Sequence, residues 1–278
     1  MSIKDVLFHL ERDSSAQSVI DFASSLALFT RAHLTAAGIV VEYPPPATGP
    51  SIGGPFNNLA TFEKLTEENR EDLQRRYREF TKNVARELET EFIIVRGYLG
   101  LACRDFSRLA RYFDLSVVGQ GAPGEARLDR QVVSAALFGS GRPVFVVPFT
   151  HKGAAKFEKA MVCWDGGAQA AKALAASMPL LARSKSTEII TFSGATTGDK
   201  EPSPDIIRHL ARHGIGAKMT ELPGAHDIGE AILSYAADIS ADYIVMGAYG
   251  HWRLAEFVIG GTTRTILESM TAPIFMAH

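Results

Sequence analysis

Glycine recurs with a set spacing in the run Gly247-Ala248-Tyr-Gly250-His251-Trp-Arg253-Leu-Ala-Glu-Phe-Val-Ile-Gly260-Gly261-Thr262-Thr263, directly after the apolar stretch Tyr243-Ile-Val-Met246. Glycine at the end of a strand lets the backbone approach a ligand that a Cβ would hold off. The pair Gly260-Gly261 precedes a helical pattern running from about Thr262 to Ser269. The free N–H groups of such a helix start, its dipole and the hydroxyls of Thr262 and Thr263 together make an anion site. Phosphate is the chemistry these residues suit. His251 and Arg253, in the loop after Gly250, are the polar side chains best placed to touch phosphates or a developing charge.

Other chemistry finds little support. Catalysis needs a nucleophile beside a base, paired carboxylates or a metal, and no G-x-S-x-G elbow, P-loop or H-E-x-x-H is present. His209 and His213 have a metal-capable i, i+4 spacing but no third ligand close in sequence, so they read as a helix surface. Gly119-Gln-Gly121-Ala-Pro-Gly124 spells the dinucleotide fingerprint G-x-G-x-x-G. It follows the fourth strand of its unit rather than the first, Pro123 interrupts the helix entry, and position 139 is glycine rather than a ribose-binding acid. It is a chance match.

The elements that must carry the glycine run occur twice. Asp114-Leu-Ser-Val-Val-Gly119 recurs as Asp242-Tyr-Ile-Val-Met-Gly247, each following a helical pattern, Leu101 to Phe113 and Ile228 to Ser240. Each is followed by a proline-led apolar run, Pro143-Val-Phe-Val-Val and Pro273-Ile-Phe-Met-Ala, with proline at a strand's first residue. The strand Val6 to Glu11 matches Met161 to Asp165, both ending on a carboxylate. Amphipathic helices then span about Ala16 to Arg31 and Ala168 to Arg183, the second followed by the strand Glu188 to Phe192. Strands alternating with helices imply parallel pairing and right-handed crossovers. The expected fold is therefore α/β: two tandem, open, doubly wound, five-stranded parallel-sheet domains, residues 1–150 and 156–278. The polar link Thr150 to Lys156 joins them.

The copies differ where chemistry matters. The first inserts the Pro- and Gly-rich segment Tyr43 to Pro55, a loop, and then a charged helix, Thr61 to Leu88, that covers a face of its sheet. It has Arg130-Gln-Val-Val133 where the second has Gly260-Gly-Thr-Thr263, and Glu11 where the second has Asp165. The phosphate turn is lost, so the first copy reads as a structural partner.

A second half with G-x2-G-x9-G after its fourth strand, followed by small and hydroxyl residues, resembles the universal stress protein family, and the whole chain resembles its tandem members. The resemblance implies a Rossmann-like fold, with the two domains packed as a pseudo-dimer and any further homodimer optional. It also implies ATP, AMP or ADP binding, with Mg²⁺ as companion and the phosphates over Gly247, Ala248, Gly250, Gly260, Gly261, Thr262 and Thr263. The adenosine would lie near Asp165 and the strand ends at Ile190 to Phe192 and Met246. Nucleotide-binding members usually carry Ser or Thr directly after the third glycine, where this chain has Gly261.

The whole-chain properties fit. A net charge of -2 over 278 residues gives no bulk reason to expect nucleic acid or an anionic membrane as partner. No apolar run approaches the roughly 18 residues of a membrane span. Cys103 and Cys163, far apart in helix and strand patterns, suggest neither a disulfide framework nor a metal knuckle. A cytoplasmic, non-enzymatic nucleotide-binding stress-response protein is expected, with room for slow ATP hydrolysis but not for turnover as its main function. A nucleotide-independent interaction protein, binding an unnamed partner through its apolar edges and Pro-rich loop, is the alternative.

Overall fold

The computed structural model describes residues 2–12, 16–42, 57–84, 88–120, 127–193, 205–248 and 261–278. In the first half the elements are β1 (Asp5–His9), α1 (Ala16–Thr30), β2 (His33–Glu42), α2 (Asn57–Asn83), β3 (Thr90–Tyr98), α3 (Leu99–Ala110), β4 (Leu115–Gly119), α4 (Arg127–Gly139) and β5 (Val144–Val147). The second half repeats the order with β6 (Lys159–Cys163), α5 (Ala168–Leu181), β7 (Ser186–Phe192), α6 (Asp205–Arg212), β8 (Ala217–Leu222), α7 (Ile228–Asp238), β9 (Tyr243–Gly247), α8 (Gly261–Ser269) and β10 (Ile274–Ala277). The charged helix expected over Thr61 to Leu88 begins and ends earlier, and Leu88 is buried beyond its end. The Tyr43 to Pro55 insertion lies outside the described residues.

All strands join one ten-stranded sheet in the order β3-β2-β1-β4-β5-β10-β9-β6-β7-β8. Each half is parallel throughout with its first strand beside its fourth, as expected of a doubly wound unit. The two expected sheets are thus fused edge to edge. The seam is the antiparallel pair β5 and β10, centred on Phe145 opposite Phe275, and those fully buried rings meet edge to face at 5.1 Å. Such a ring pair contributes about 0.5–1.5 kcal/mol beyond its buried area. Pairing these two short apolar strands also removes two edges that would otherwise template aggregation. The outer edges that remain, β3 and β8, carry the exposed charges Glu91, Arg96, Lys218 and Glu221.

Two apolar layers flank the sheet. One holds Phe22 of α1, Leu73 and Phe80 of α2, Leu174 of α5 and Leu210 of α6; the other holds Phe106 of α3, Val132 of α4, Ile232 of α7 and Ile266 of α8. Despite its charge, α2 buries Leu73 and Phe80 and stacks Tyr77 on Phe92 of β3 at 4.7 Å. The polar residue before each repeated strand has a definite task. Asp114 accepts the N–H groups of Lys4 and Asp5, and Asp242 accepts those of Glu158 and Lys159, tying each fourth strand to the start of the first.

Between β5 and β6 the chain runs along α1 with specific bonds. Gly153 N–H donates to Asp21 and Ala155 N–H to Ser25, at 3.1 and 3.0 Å. Phe157 then packs among Phe22, Phe29 and Phe145.

Candidate functional site

In the second half the strand order reverses between β6 and β9, where the connections leave toward opposite sides. Crevices of this kind, at the carboxyl ends of parallel strands, are where open α/β sheets bind ligands. Three helices begin at this end of the sheet, α5, α7 and α8 following β6, β8 and β9. A Cβ on Gly247 would stand 2.5 Å from the Ala170 nitrogen and from the Gln169 carbonyl carbon, so the end of β9 rests directly on the first turn of α5. A Cβ on Gly229, in the first turn of α7, would stand 2.9 Å from the Thr262 carbonyl oxygen in α8. Neither α5 nor α8 has an acid in its first turn, so their positive ends are uncompensated by side chains of their own.

The first turn of α8 contains Gly261, Thr262 and Thr263, with Gly261 exposed, Thr262 half-buried and Thr263 buried. Among the described residues a Cβ on Gly261 would meet nothing within 4 Å, and its φ is outside the left-handed region. As far as those residues go, that position has room for a side chain. Gly250, His251, Arg253 and Gly260 lie outside the described residues.

Asp165 is exposed in the loop after β6, where its Oδ1 accepts the Gly167 N–H at 2.8 Å, next to Gly166 at φ +77°. Ile190, Phe192 and Met246 are buried in the α7/α8 layer, together with Ala248. The Ile190 carbonyl already accepts the Trp164 N–H. These residues form an apolar wall below the crevice, and among them Phe192 and Met246, 7% and 6% exposed, come nearest its surface.

The α8 turn is fixed by a residue that the sequence reading passed over. Asp227 caps α7, its Oδ1 accepting the Gly229 and Glu230 N–H groups, while its Oδ2 accepts the Thr265 hydroxyl of α8 at 3.0 Å. The bonds from Glu230, Thr265 and Gly229 hold its carboxyl below the usual carboxylate range, against a smaller opposing effect of burial. The signal was present: Asp227 and Glu230 have the spacing of a capping box ahead of an apolar run.

The corresponding place in the first half is filled by the chain itself. Glu11, 2% exposed, accepts the Gly119 N–H at 3.0 Å. A Cβ on Gly119 would lie 2.1 Å from that carboxylate oxygen. His9 is buried 3.8 Å away with no hydrogen-bond partner for Nδ1. Gln131, Val132 and Val133 stand in α4 where Gly261, Thr262 and Thr263 stand in α8, as the pairing of β5 with β10 sets the register. A carboxylate buried at the end of β4, with two valines where α8 has threonines, leaves no place for an anion there.

Reactive side chains are scarce nearby. Burial, with the Asp165 carboxylate adding to it, pushes the Cys163 thiol up to about 12. Among the described residues no three His, Cys, Asp or Glu side chains gather into a metal site, and His209 and His213 only pack ring to ring at 4.8 Å. No helix there is long and apolar enough to cross a membrane. A groove of about 620 Å³ lies at the opposite, amino ends of β6 to β8, but its lysines are engaged. Lys218 pairs with Glu188, Lys185 with Glu158, and Lys159 bonds the Ile239 carbonyl.

A model of the universal stress protein family matches residues 208–278, the stretch that runs from α6 through β10 and includes the α8 turn. The universal stress protein Slr1230 of Synechocystis sp. (strain ATCC 27184 / PCC 6803 / Kazusa) is 30% identical over 124 residues. Both matches are to universal stress proteins, and each spans less than half of this chain. The match to Slr1230 covers 42% of this chain and 41% of that protein's length. The fold as a whole is similar to that of a universal stress protein from Archaeoglobus fulgidus DSM 4304, with a TM-score of 0.72 at 15% identity. That similarity covers 98% of this chain and 96% of the other. A functionally unknown protein, PA1789 from Pseudomonas aeruginosa PAO1, shares the fold with a TM-score of 0.55 at 14% identity, over 99% and 92% of the two chains. At these identities the shared property is the fold, and within it this chain has two crevices of unequal chemistry.

Proposed function

We propose that this chain is a universal stress protein that binds an adenine nucleotide, ATP foremost, in its second half, and that it acts in the stress response by binding rather than by turnover. The phosphates lie against the first turn of α8, and the adenosine runs toward Asp165 and the wall of Phe192 and Met246. The observation that carries this reading is the start of α5 set against Gly247 and, on the other face of the sheet, the start of α7 set against that of α8, with Gly261 exposed at the head of α8. Backbone donors and dipoles, with two threonines, supply the anion chemistry among the described residues. Any Mg²⁺ would be carried chiefly by the nucleotide's own phosphates, since the described residues gather no three-ligand cluster. The bound state is then what a partner reads.

The test is nucleotide content and thermal shift on the purified chain. Extracts of the denatured protein should contain about one adenine nucleotide per chain. Saturating ATP should raise the melting temperature, a hundredfold excess over Kd being worth about 2.7 kcal/mol. Gly261→Asp fits the open space and should fold, yet its carboxylate should abolish the shift. If millimolar ATP, ADP and AMP all leave the wild-type melting temperature unchanged, the reading fails in favour of a nucleotide-independent interaction protein.

A further inference from the structure

Gln120 follows β4 in the first half, yet its side chain is committed to the second. Its Nε2 donates to the carbonyls of Leu267 and Glu268, at 2.9 and 3.2 Å, in the last turn of α8. Those carbonyls are acceptors that a helix end leaves without intrahelical partners, and they form its negative pole. We infer that Gln120 is a positioning residue through which the first half sets the α8 helix, and so the phosphate-binding turn at its other end. This rests on the nucleotide reading above.

Three observations support it. First, α8 is nine residues long, and a helix that short takes its axis and register from tertiary ties rather than from its own propensity. The Asp227–Thr265 bond and the Gly229–Thr262 contact hold its beginning. Gln120 holds its end. Second, the fold does not require an amide here. The symmetric position in the second half is Ala248, fully buried and apolar, whose N–H makes the same bond to the adjacent strand: Ala248 to Ala277, as Gln120 to Val147. Third, the two carbonyl acceptors fix which way the amide points, and Gln120 Oε1 is left buried without a partner. A side chain kept only for stability would not leave a buried acceptor unpaired.

The backbone of Gln120 is a firm anchor. It continues β4, bonded to Val147, and it adjoins Gly119, whose N–H is held by Glu11. The filled crevice of the first half and the α8 helix of the second are therefore linked through two consecutive residues.

The experiment compares wild type, Gln120→Ala and Gln120→Lys in the full chain, measuring ATP and adenosine affinity by calorimetry. An ammonium at position 120 restores a donor to the carbonyls. Gln120→Ala should weaken ATP about fivefold, the low end of ordinary coupling between sites, and leave adenosine unchanged; Gln120→Lys should recover most of the loss. Equal ATP affinity in all three proteins overturns the inference, and so does parallel loss of ATP and adenosine. Should the wild type bind neither, the nucleotide reading itself has failed and hydrogen exchange decides the role of Gln120. Faster exchange in Gln120→Ala at the amides of Thr265 to Ser269, with α7 unchanged, would uphold the tie, and unchanged exchange would overturn it.

Discussion

The Gly119 N–H donates to Glu11 at 3.0 Å, and the same carboxylate occupies the space into which any Cβ at position 119 would project. Bond and contact belong to one arrangement, so they should respond together. Gly119→Ala should destabilise the chain by about 1–3 kcal/mol, the usual cost of overpacking a well-filled site. In a Glu11→Ala background the same substitution should cost at least about 1 kcal/mol less, because the obstructing group is gone. Urea unfolding of the four proteins measures the cycle. Equal costs in both backgrounds would show that Glu11 is not what fixes the glycine.

Gly261 departs from the hydroxyl residue usual in nucleotide-binding members, and the space beside it is open. Gly261→Ser should leave stability within about 0.5 kcal/mol, as surface substitutions generally do. The added hydroxyl can donate to a phosphate oxygen, and hydrogen bonds to charged groups contribute about 1.5–3 kcal/mol. ATP should therefore bind roughly tenfold tighter in calorimetric titration. Unchanged affinity would mean that the phosphates do not reach the head of α8.

The repeat, the helices and the apolar runs were legible because they are periodic and local. From them follow the parallel halves, each with its first strand beside its fourth, and the pairing of the halves. Edge pairing of the halves was one of the arrangements open to the sequence, but not which strands would meet, since neither Pro143-Val-Phe-Val-Val nor Pro273-Ile-Phe-Met-Ala carries a mark that says which edge it will face. The glycines of the second half were legible as a group but not in their separate tasks. Gly247 was read as room for a ligand, whereas its missing Cβ makes room for α5. Nor is that glycine peculiar to a nucleotide motif, for Gly119 occupies the same strand position in the other copy. The cap at Asp227 was legible in its spacing to Glu230, but its tie to Thr265 and that of Gln120 to Leu267 were not, because those partners lie 38 and 147 positions away in sequence, a separation to which no helix or strand period applies.

Acid should loosen α8 through Asp227. Its folded pKa lies below the ordinary value, so the native state binds that proton less readily than the unfolded chain. The stabilisation is fully present above the unfolded carboxyl pKa of about 3.9 and is lost as pH falls through the folded value. Asp227→Asn keeps an acceptor for the cap but carries no charge to titrate. Its melting temperature should lie below that of wild type near pH 7, and the gap should narrow as the pH falls below the unfolded carboxyl value of about 3.9. A gap independent of pH would assign the effect of Asp227 to shape alone.

The two thiols should be silent in the native chain. Burial raises Cys103 to about 11 and Cys163 to about 12. A pKa of about 12 leaves roughly 3 in 100,000 molecules as thiolate at pH 7.5, against about one in ten for an ordinary exposed cysteine. Only the thiolate attacks an alkylating or disulfide reagent at a useful rate. Under native conditions a disulfide reagent at pH 7.5 should therefore modify neither residue over the minutes in which urea-unfolded chain reacts at both. Rapid native labelling of Cys163, in the strand that leads to Asp165, would mean that the crevice floor opens to solvent and that the wall beneath the proposed nucleotide is not the closed apolar surface described above.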